Sequence, residues 1–337
     1  MNKMEPVRAV NLGGWLVLER WMRPSLFEGI TGFDETQFCL QAHNVKQQLD
    51  EHRESFITES DFKWIKDHGL NVIRLPYPYW LFGDIQPYYG CVNKLDQIMD
   101  WAQKYELKVL LDLHTAPGCQ NGFDNGGQLG VLTWHTKTEN IELTLEILDK
   151  VALRYKNHPA LWGMEVLNEP HWTLDQAFIQ SFYEQAYTRL RSILKQVTVL
   201  GFHDAFRASV WKSFLTNKEN VILDLHLYQS FDKKFENAGL EFNVKYPLEA
   251  YTALFEELSS YTKVIIGEWS LGLDHKNFRQ LDDFNKMLGL RAFGAAQLMA
   301  FEKTNGWVFW NYKIEDLSSG WNFRSLVERG ILPHEYR

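Results

Sequence analysis

Two stretches of the chain end an apolar run in a carboxylate: LWGMEVLNEP sets Glu169 just past residues 161–167, and VIIGEWS sets Glu268 just past residues 264–267. Paired carboxyl groups in unlike environments suit cleavage of a glycosidic bond. One, kept neutral, protonates the leaving oxygen, and the other, ionised, attacks carbon or activates water. Other polar residues stand in the same relation to other apolar runs: Arg74 in NVIRLP, His114 in LLDLHTAPG, His226 and Tyr228 in LDLHLYQSF, Asn168 beside Glu169, and Trp310 in WVFWNY. Glu19 follows the first run, in NLGGWLVLE. Taken singly, each has a plain structural reading, because a strand must give way to a hydrophilic loop. Taken together they form a set in which the cost of burying two carboxylates is offset by donors such as Arg74, Tyr228 and His226.

For these residues to meet, the elements before them must point one way. Short β-rich runs at 7–11, 71–75, 107–113, 161–167, 197–202, 221–226, 264–268 and 307–310 alternate with amphipathic segments at 58–68, 94–105, 139–155, 174–194, 205–215, 248–261 and 278–301. The strands are continuously apolar, as in a parallel sheet covered on both faces. Eight β-then-α units without a linker or a shift in composition predict an α/β fold, a (β/α)8 TIM barrel forming a single domain over residues 1–337. An open doubly wound sheet is the alternative, but no strand is followed by GxGxxG or GxxxxGK[ST]. In a barrel the C-terminal strand ends share one face, so the carboxylates after the fourth and seventh strands face each other across its mouth.

Composition narrows the function classes. The net charge is -8 without long blocks of either sign, which argues against a nucleic-acid partner, and no run is long enough for a transmembrane segment. The start MNKMEPVRAVNLGG has no apolar h-region, and the cysteines Cys39, Cys91 and Cys119 are odd in number and widely spaced. Both features lead to the expectation of a cytoplasmic protein with reduced thiols and no zinc site. No metal and no cofactor is expected. The 13 Trp residues either fill a large core or line a cleft where sugar rings stack. Asp112 and Asp224, inside the third and sixth strands, read as facing the helix layer or bracing neighbours.

The stretches NLGGWLVLE, PSLFE, NVIRLP, DLHTAPGCQNGFDN, LNEP, HLYQSF, GEWS and GWVFWNYK, spread in this order over residues 11–313, resemble glycoside hydrolase family 5 and, within it, the exo-β-1,3-glucanases. The resemblance implies a retaining hydrolase with Glu169 as acid/base and Glu268 as nucleophile. It further implies that Arg74 bonds the nucleophile, Asn168 the sugar 2-hydroxyl, and His226 the acid/base, with Tyr228 near the nucleophile. By the same resemblance His114 and Glu19 hold hydroxyls of the innermost sugar, Trp310 forms its floor, Phe123 and Phe231 grip the next sugar, and Asn125 lines the pocket. The ordinary reading of the two phenylalanines is core packing, and that of Glu19 a surface salt bridge. The implied substrate is a β-1,3-glucan or laminari-oligosaccharide, cut to glucose from the non-reducing end. The chain departs from those enzymes in lacking paired cysteines, in GGQLGVLTWH at 126–135, and in Arg20-Trp21 after Glu19. These departures suggest an alternative, an intracellular β-glucosidase acting on small β-glucosides or glycolipids. A catalytically inactive sugar-binding barrel and a metal-dependent barrel hydrolase are remoter readings.

Overall fold

The computed structural model describes residues 5–336, and in it eight parallel strands close a barrel in chain order. They are β1 (Val7–Asn11), β2 (Val72–Tyr77), β3 (Lys108–Leu113), β4 (Leu161–Glu165), β5 (Val199–His203), β6 (Val221–His226), β7 (Lys263–Trp269) and β8 (Gly306–Phe309). The ring closes between β1 and β8, with Val7 opposite Gly306 and Ala9 opposite Val308. Each expected run is a strand whose ends move by no more than a residue or two. Backbone pairing runs on past Glu165, because Val166 N donates to Gly201 O and Asn168 N to Leu113 O. The apolar run up to Leu167 is therefore held on both sides to the barrel rim.

Helices cover the outside, and local chemistry sets their ends. Thr58 and Asp61 form a reciprocal capping box at the start of helix Glu59–Asp67. Asp175 caps Gln176–Ile193, its carboxylate accepting from Phe178 N. Two helices between β1 and β2, Glu35–Gln41 and Val45–Ser55, lie outside the expected set. The second, VKQQLDEHRES, buries only Leu49, His52 and Arg53, so its apolar period is too thin to stand out.

Side chains alternate along each strand, and every second one points into the barrel. The lower inward positions are apolar: Ala9, Val72, Leu110, Val199, Ile222, Ile265 and Val308 form a cluster separate from the core under the helices. Two residues further along these strands the interior is polar, with Asn11, Arg74, Asp112 and Asp224 fully buried, as is Glu165 at the same level on β4. Asp112 and Asp224 thus face the barrel axis and brace its neighbours; the helix-layer orientation does not occur. No helix among the described residues is long and apolar enough to cross a membrane.

Candidate active site

Arg74 organises the polar layer. Its Nε donates to Glu165 Oε2 at 2.7 Å, Nη1 to Asn11 Oδ1 at 2.9 Å and to Glu268 Oε1 at 3.1 Å, and Nη2 to Asn168 Oδ1 at 2.9 Å. Asp112 Oδ2 lies 3.2 Å from Nη2 and also meets His114 Nδ1 at 2.6 Å. A guanidinium in the middle of β2, pointing into the barrel, can reach all these groups because its planar fork presents five donors. Fixing Asn168 Oδ1 on Arg74 leaves Asn168 Nδ2 pointing elsewhere, and that atom is buried without a protein partner.

Above this layer the two glutamates converge on His226. Nδ1 of His226 is 2.7 Å from Glu169 Oε1 and 3.3 Å from Glu268 Oε2, so these two oxygens are no more than about 6 Å apart. Tyr228 donates its hydroxyl to Glu268 Oε2 at 2.7 Å, and Asn125 Nδ2 donates to Glu169 Oε2 at 3.0 Å. Glu169 has a left-handed backbone, φ 44°, which a side chain other than glycine rarely adopts. Gln120 holds that corner, its amide donating at 2.9 Å to the carbonyls of both His114 and Asn168.

These contacts are charge-assisted and shut away from water, so they control protonation. Burial pushes the Glu268 carboxyl up, and the facing Glu169 adds to this against the opposing pull of His226 and Arg74. Burial acts on Glu169 in the same sense, but the hydrogen bond and charge of His226, helped by Asn125, bring it below the usual carboxylate range. His226, despite burial, is held well above an ordinary imidazole by Glu268, Asp224 and Glu169. These directions favour a proton on His226, which lies between both glutamates, over one on Glu169.

With both carboxylates brought to one imidazole at the barrel mouth, family membership can be set beside the geometry: residues 33–316 match the model of cellulase, glycosyl hydrolase family 5. The chain belongs to this family. It is a glycoside hydrolase. It is 35% identical to probable glucan 1,3-beta-glucosidase A of Emericella nidulans, an alignment covering 98% of this chain and 90% of that one. Glucan 1,3-beta-glucosidase 1 of Schizosaccharomyces pombe is 33% identical, with 98% and 89% covered. Among solved structures, rutinosidase from Aspergillus niger superposes with a TM-score of 0.84 over 98% of each chain at 19% identity, a likeness of fold.

The remaining expected residues surround the glutamates. Trp310 is 3% exposed and stacks on His114 with centroids 5.5 Å apart and planes 6° from parallel. Its indole lies on the backbone of Gly13, where a Cβ would come within 2.6 Å of the ring, so a larger residue at 13 would displace that floor. Glu19 is 4% exposed, which excludes the surface salt bridge. Its Oε2 accepts from Trp21 Nε1 at 2.9 Å, while Oε1 has no protein partner, as is true of His114 Nε2. Burial and the charge of Asp124 push the Glu19 carboxyl well up. Phe123 packs against His171 and Trp172, both at 5.9 Å, and Phe231 against Tyr228 at 5.5 Å and Trp321 at 6.0 Å. Phe231 is 77% exposed, which removes it from the core.

Sequence reasoning missed Glu165, Gln120 and Trp321. Glu165 sits inside an apolar strand with nothing to mark its direction, and Gln120 is one polar residue in a loop of many. Trp321 bridges Trp21 and Tyr228 at 5.6 and 5.1 Å; an aromatic in the segment after the last strand was the available signal.

Proposed function

We propose that this glycoside hydrolase removes glucose from the non-reducing end of β-1,3-glucan chains or laminari-oligosaccharides, working as one catalytic domain. In this reading Glu268 is the nucleophile and Glu169 the acid/base. The observation that carries it is the shared contact of both carboxylates with His226 Nδ1, a spacing suited to double displacement rather than to a water held between two carboxyl groups.

The steps follow from the contacts. Arg74 and Tyr228 each bind one oxygen of Glu268 and hold the carboxylate against the anomeric carbon. As that bond forms, the glycosidic bond breaks and its oxygen takes the proton delivered by Glu169. Asn168 Nδ2, aimed by Arg74, bonds the sugar 2-hydroxyl, an interaction that strengthens as positive charge develops on the ring. In the second half Glu169, as a carboxylate, takes a proton from water, which attacks the glycosyl ester and frees Glu268. The unpartnered atoms Glu19 Oε1 and His114 Nε2 take hydroxyls of the same sugar, with Trp310 as floor, a closed end that favours release of single units. The names of the relatives supply the β-1,3 linkage.

A second reading, small β-glucosides or glycolipids met in a reducing compartment, is favoured by one observation: Cys39, Cys91 and Cys119 are all free thiols. The product profile on laminaritriose, cellotriose, gentiobiose and a steryl β-glucoside separates the two. Glucose from laminaritriose, first detected as the β-anomer, supports the main reading. Turnover of the steryl glucoside alone moves the assignment to the second, and an α-anomer as first product overturns retention. Glu169→Ala with azide should form β-glucosyl azide; no azide rescue overturns Glu169 as acid/base.

A further inference from the structure

Beneath His226 three buried polar atoms lack a conventional hydrogen-bond partner: Glu165 Oε1, Asp224 Oδ2 and His226 Nε2. The side chains supply one ligand atom each within 4.8 Å of one another. Asp224 Oδ1 is committed, accepting from Gly267 N at 2.6 Å, and a Cβ at Gly267 would fall 2.1 Å from the carboxylate, so β7 carries glycine there to admit it. That leaves Asp224 Oδ2 facing His226 Nε2 at 3.6 Å and Arg74 Nε at 3.8 Å. Glu165 Oε2 is committed to the same Nε.

Two acceptor oxygens and an imidazole nitrogen at this range repel one another unless protons lie between them. A divalent cation would have to sit beside the guanidinium of Arg74, which already touches both carboxylates. A proton costs no such repulsion, and two carboxyl groups sharing a site commonly hold one between them. Burial pushes Glu165 well up, whereas Asp224 is drawn below its usual range by His226, Arg74 and a hydrogen bond from Glu165. Both directions favour Glu165 as the neutral partner.

We propose that Glu165 and Asp224 share one proton and act as a positioning pair that keeps Nε2 of His226 protonated, so that Nδ1 bears the proton Glu169 delivers. This rests on the reading of Glu169 as acid/base, and it accounts for an acid whose carboxyl is held low by its histidine: the acid is the Glu169–His226 couple. When the glycosidic bond breaks, one proton leaves the couple for the departing oxygen, the imidazole keeping Nε2–H and a lone pair on Nδ1. In the second half one proton returns from water, and Glu165 and Asp224 exchange none.

The groups facing His226 are Glu169 and Glu165 from β4 and its loop, Glu268 from β7, Arg74 from β2, and Asp224 and Tyr228 from its own strand and loop. From β5 and the residue after it come His203, whose ring is 4.3 Å away, and Asp204. His203 Nδ1 accepts from Ala205 N at 2.9 Å, and burial and the charge of His226 hold its pKa low, so it is a neutral neighbour.

The test is the pH profile of kcat/KM on two substrates, laminaribiose, whose leaving group needs a proton, and dinitrophenyl β-glucoside, whose leaving group does not. Asp224→Asn should move the alkaline limb on laminaribiose to lower pH by about one unit and leave the position of any limb on the dinitrophenyl glucoside unchanged. Glu165→Gln, an uncharged stand-in for the protonated acid, should keep the limb in place. A wild-type profile in Asp224→Asn, or a Glu165→Gln limb displaced like that of Asp224→Asn, overturns the proposal. Imidazole 15N NMR of the wild-type and Glu165→Gln enzymes needs no Asp224 variant: a protonated His226 Nε2 at neutral pH supports the pair, and a bare Nε2 overturns it. Failure of the parent reading shows separately, as loss of azide rescue in Glu169→Ala.

Discussion

The barrel interior has two storeys, one inward position apart along its strands, and they obey opposite rules. Below, Ala9, Val72, Leu110, Val199, Ile222, Ile265 and Val308 fill space and bond to nothing. Two residues higher, Asn11, Arg74, Asp112, Glu165 and Asp224 are equally buried and stand only because each meets a partner. The lower storey is tolerant, since any well-fitting apolar set would serve. The upper one is not, because losing a single partner strands a charge. Stability and chemistry are thus separated by one side-chain repeat, which lets a rigid apolar plug support a charged layer that holds the glutamates.

Substitutions that act on one storey only sharpen this contrast. The largest effect is expected at Glu268, where Ala should lower kcat/KM for an aryl β-glucoside by roughly a hundred-thousand-fold. Its thermal unfolding should stay level or rise, since a carboxyl facing Glu169 is removed; a large drop in melting temperature would break the contrast. Arg74→Met should fail on both counts, costing about 3–5 kcal/mol because Asp112, Glu165, Asp224 and Glu268 lose their common cation, and abolishing turnover. Denaturant unfolding measures the first and steady-state kinetics the second. Leu110→Ala should cost about 2–5 kcal/mol of stability through the cavity it leaves, with turnover per folded molecule nearly unchanged. A loss of turnover matching that of Arg74→Met would show that the storeys are coupled.

The smallest effect concerns pH. Burial holds the Asp204 carboxyl up to about 7. The folded protein therefore keeps a proton there that the unfolded chain releases near its ordinary value of about 3.9. This contribution favours folding at low pH and is lost as pH rises from about 4 to about 7. Asp204→Asn, which can still accept from Phe206 N, should flatten the fall in melting temperature between pH 5 and 7. An equally steep fall in the variant would place the titrating group elsewhere.

Much of this was legible in the chain. The eight strands stood out because parallel strands buried on both faces are runs of apolar residues, and the residues at their tips followed from the rule that all such ends share one rim. Helices Glu35–Gln41 and Val45–Ser55 did not, because a mostly polar helix on the surface has little period to show. Asn125 was expected to line the pocket and touches Glu169 itself, a contact made by a loop whose path no local pattern dictates.

Residue type and order by themselves determined that a barrel would form and that Glu169 and Glu268 would stand at one end of it, since burial of alternating apolar runs dictates both. Only the tertiary structure decided which groups compete for the protons. That depends on distances of 2.7 to 3.8 Å among Arg74, Glu165, Glu169, Asp224, His226 and Glu268. These groups come from four strands far apart in sequence, and electrostatic coupling follows their separation in space rather than along the chain.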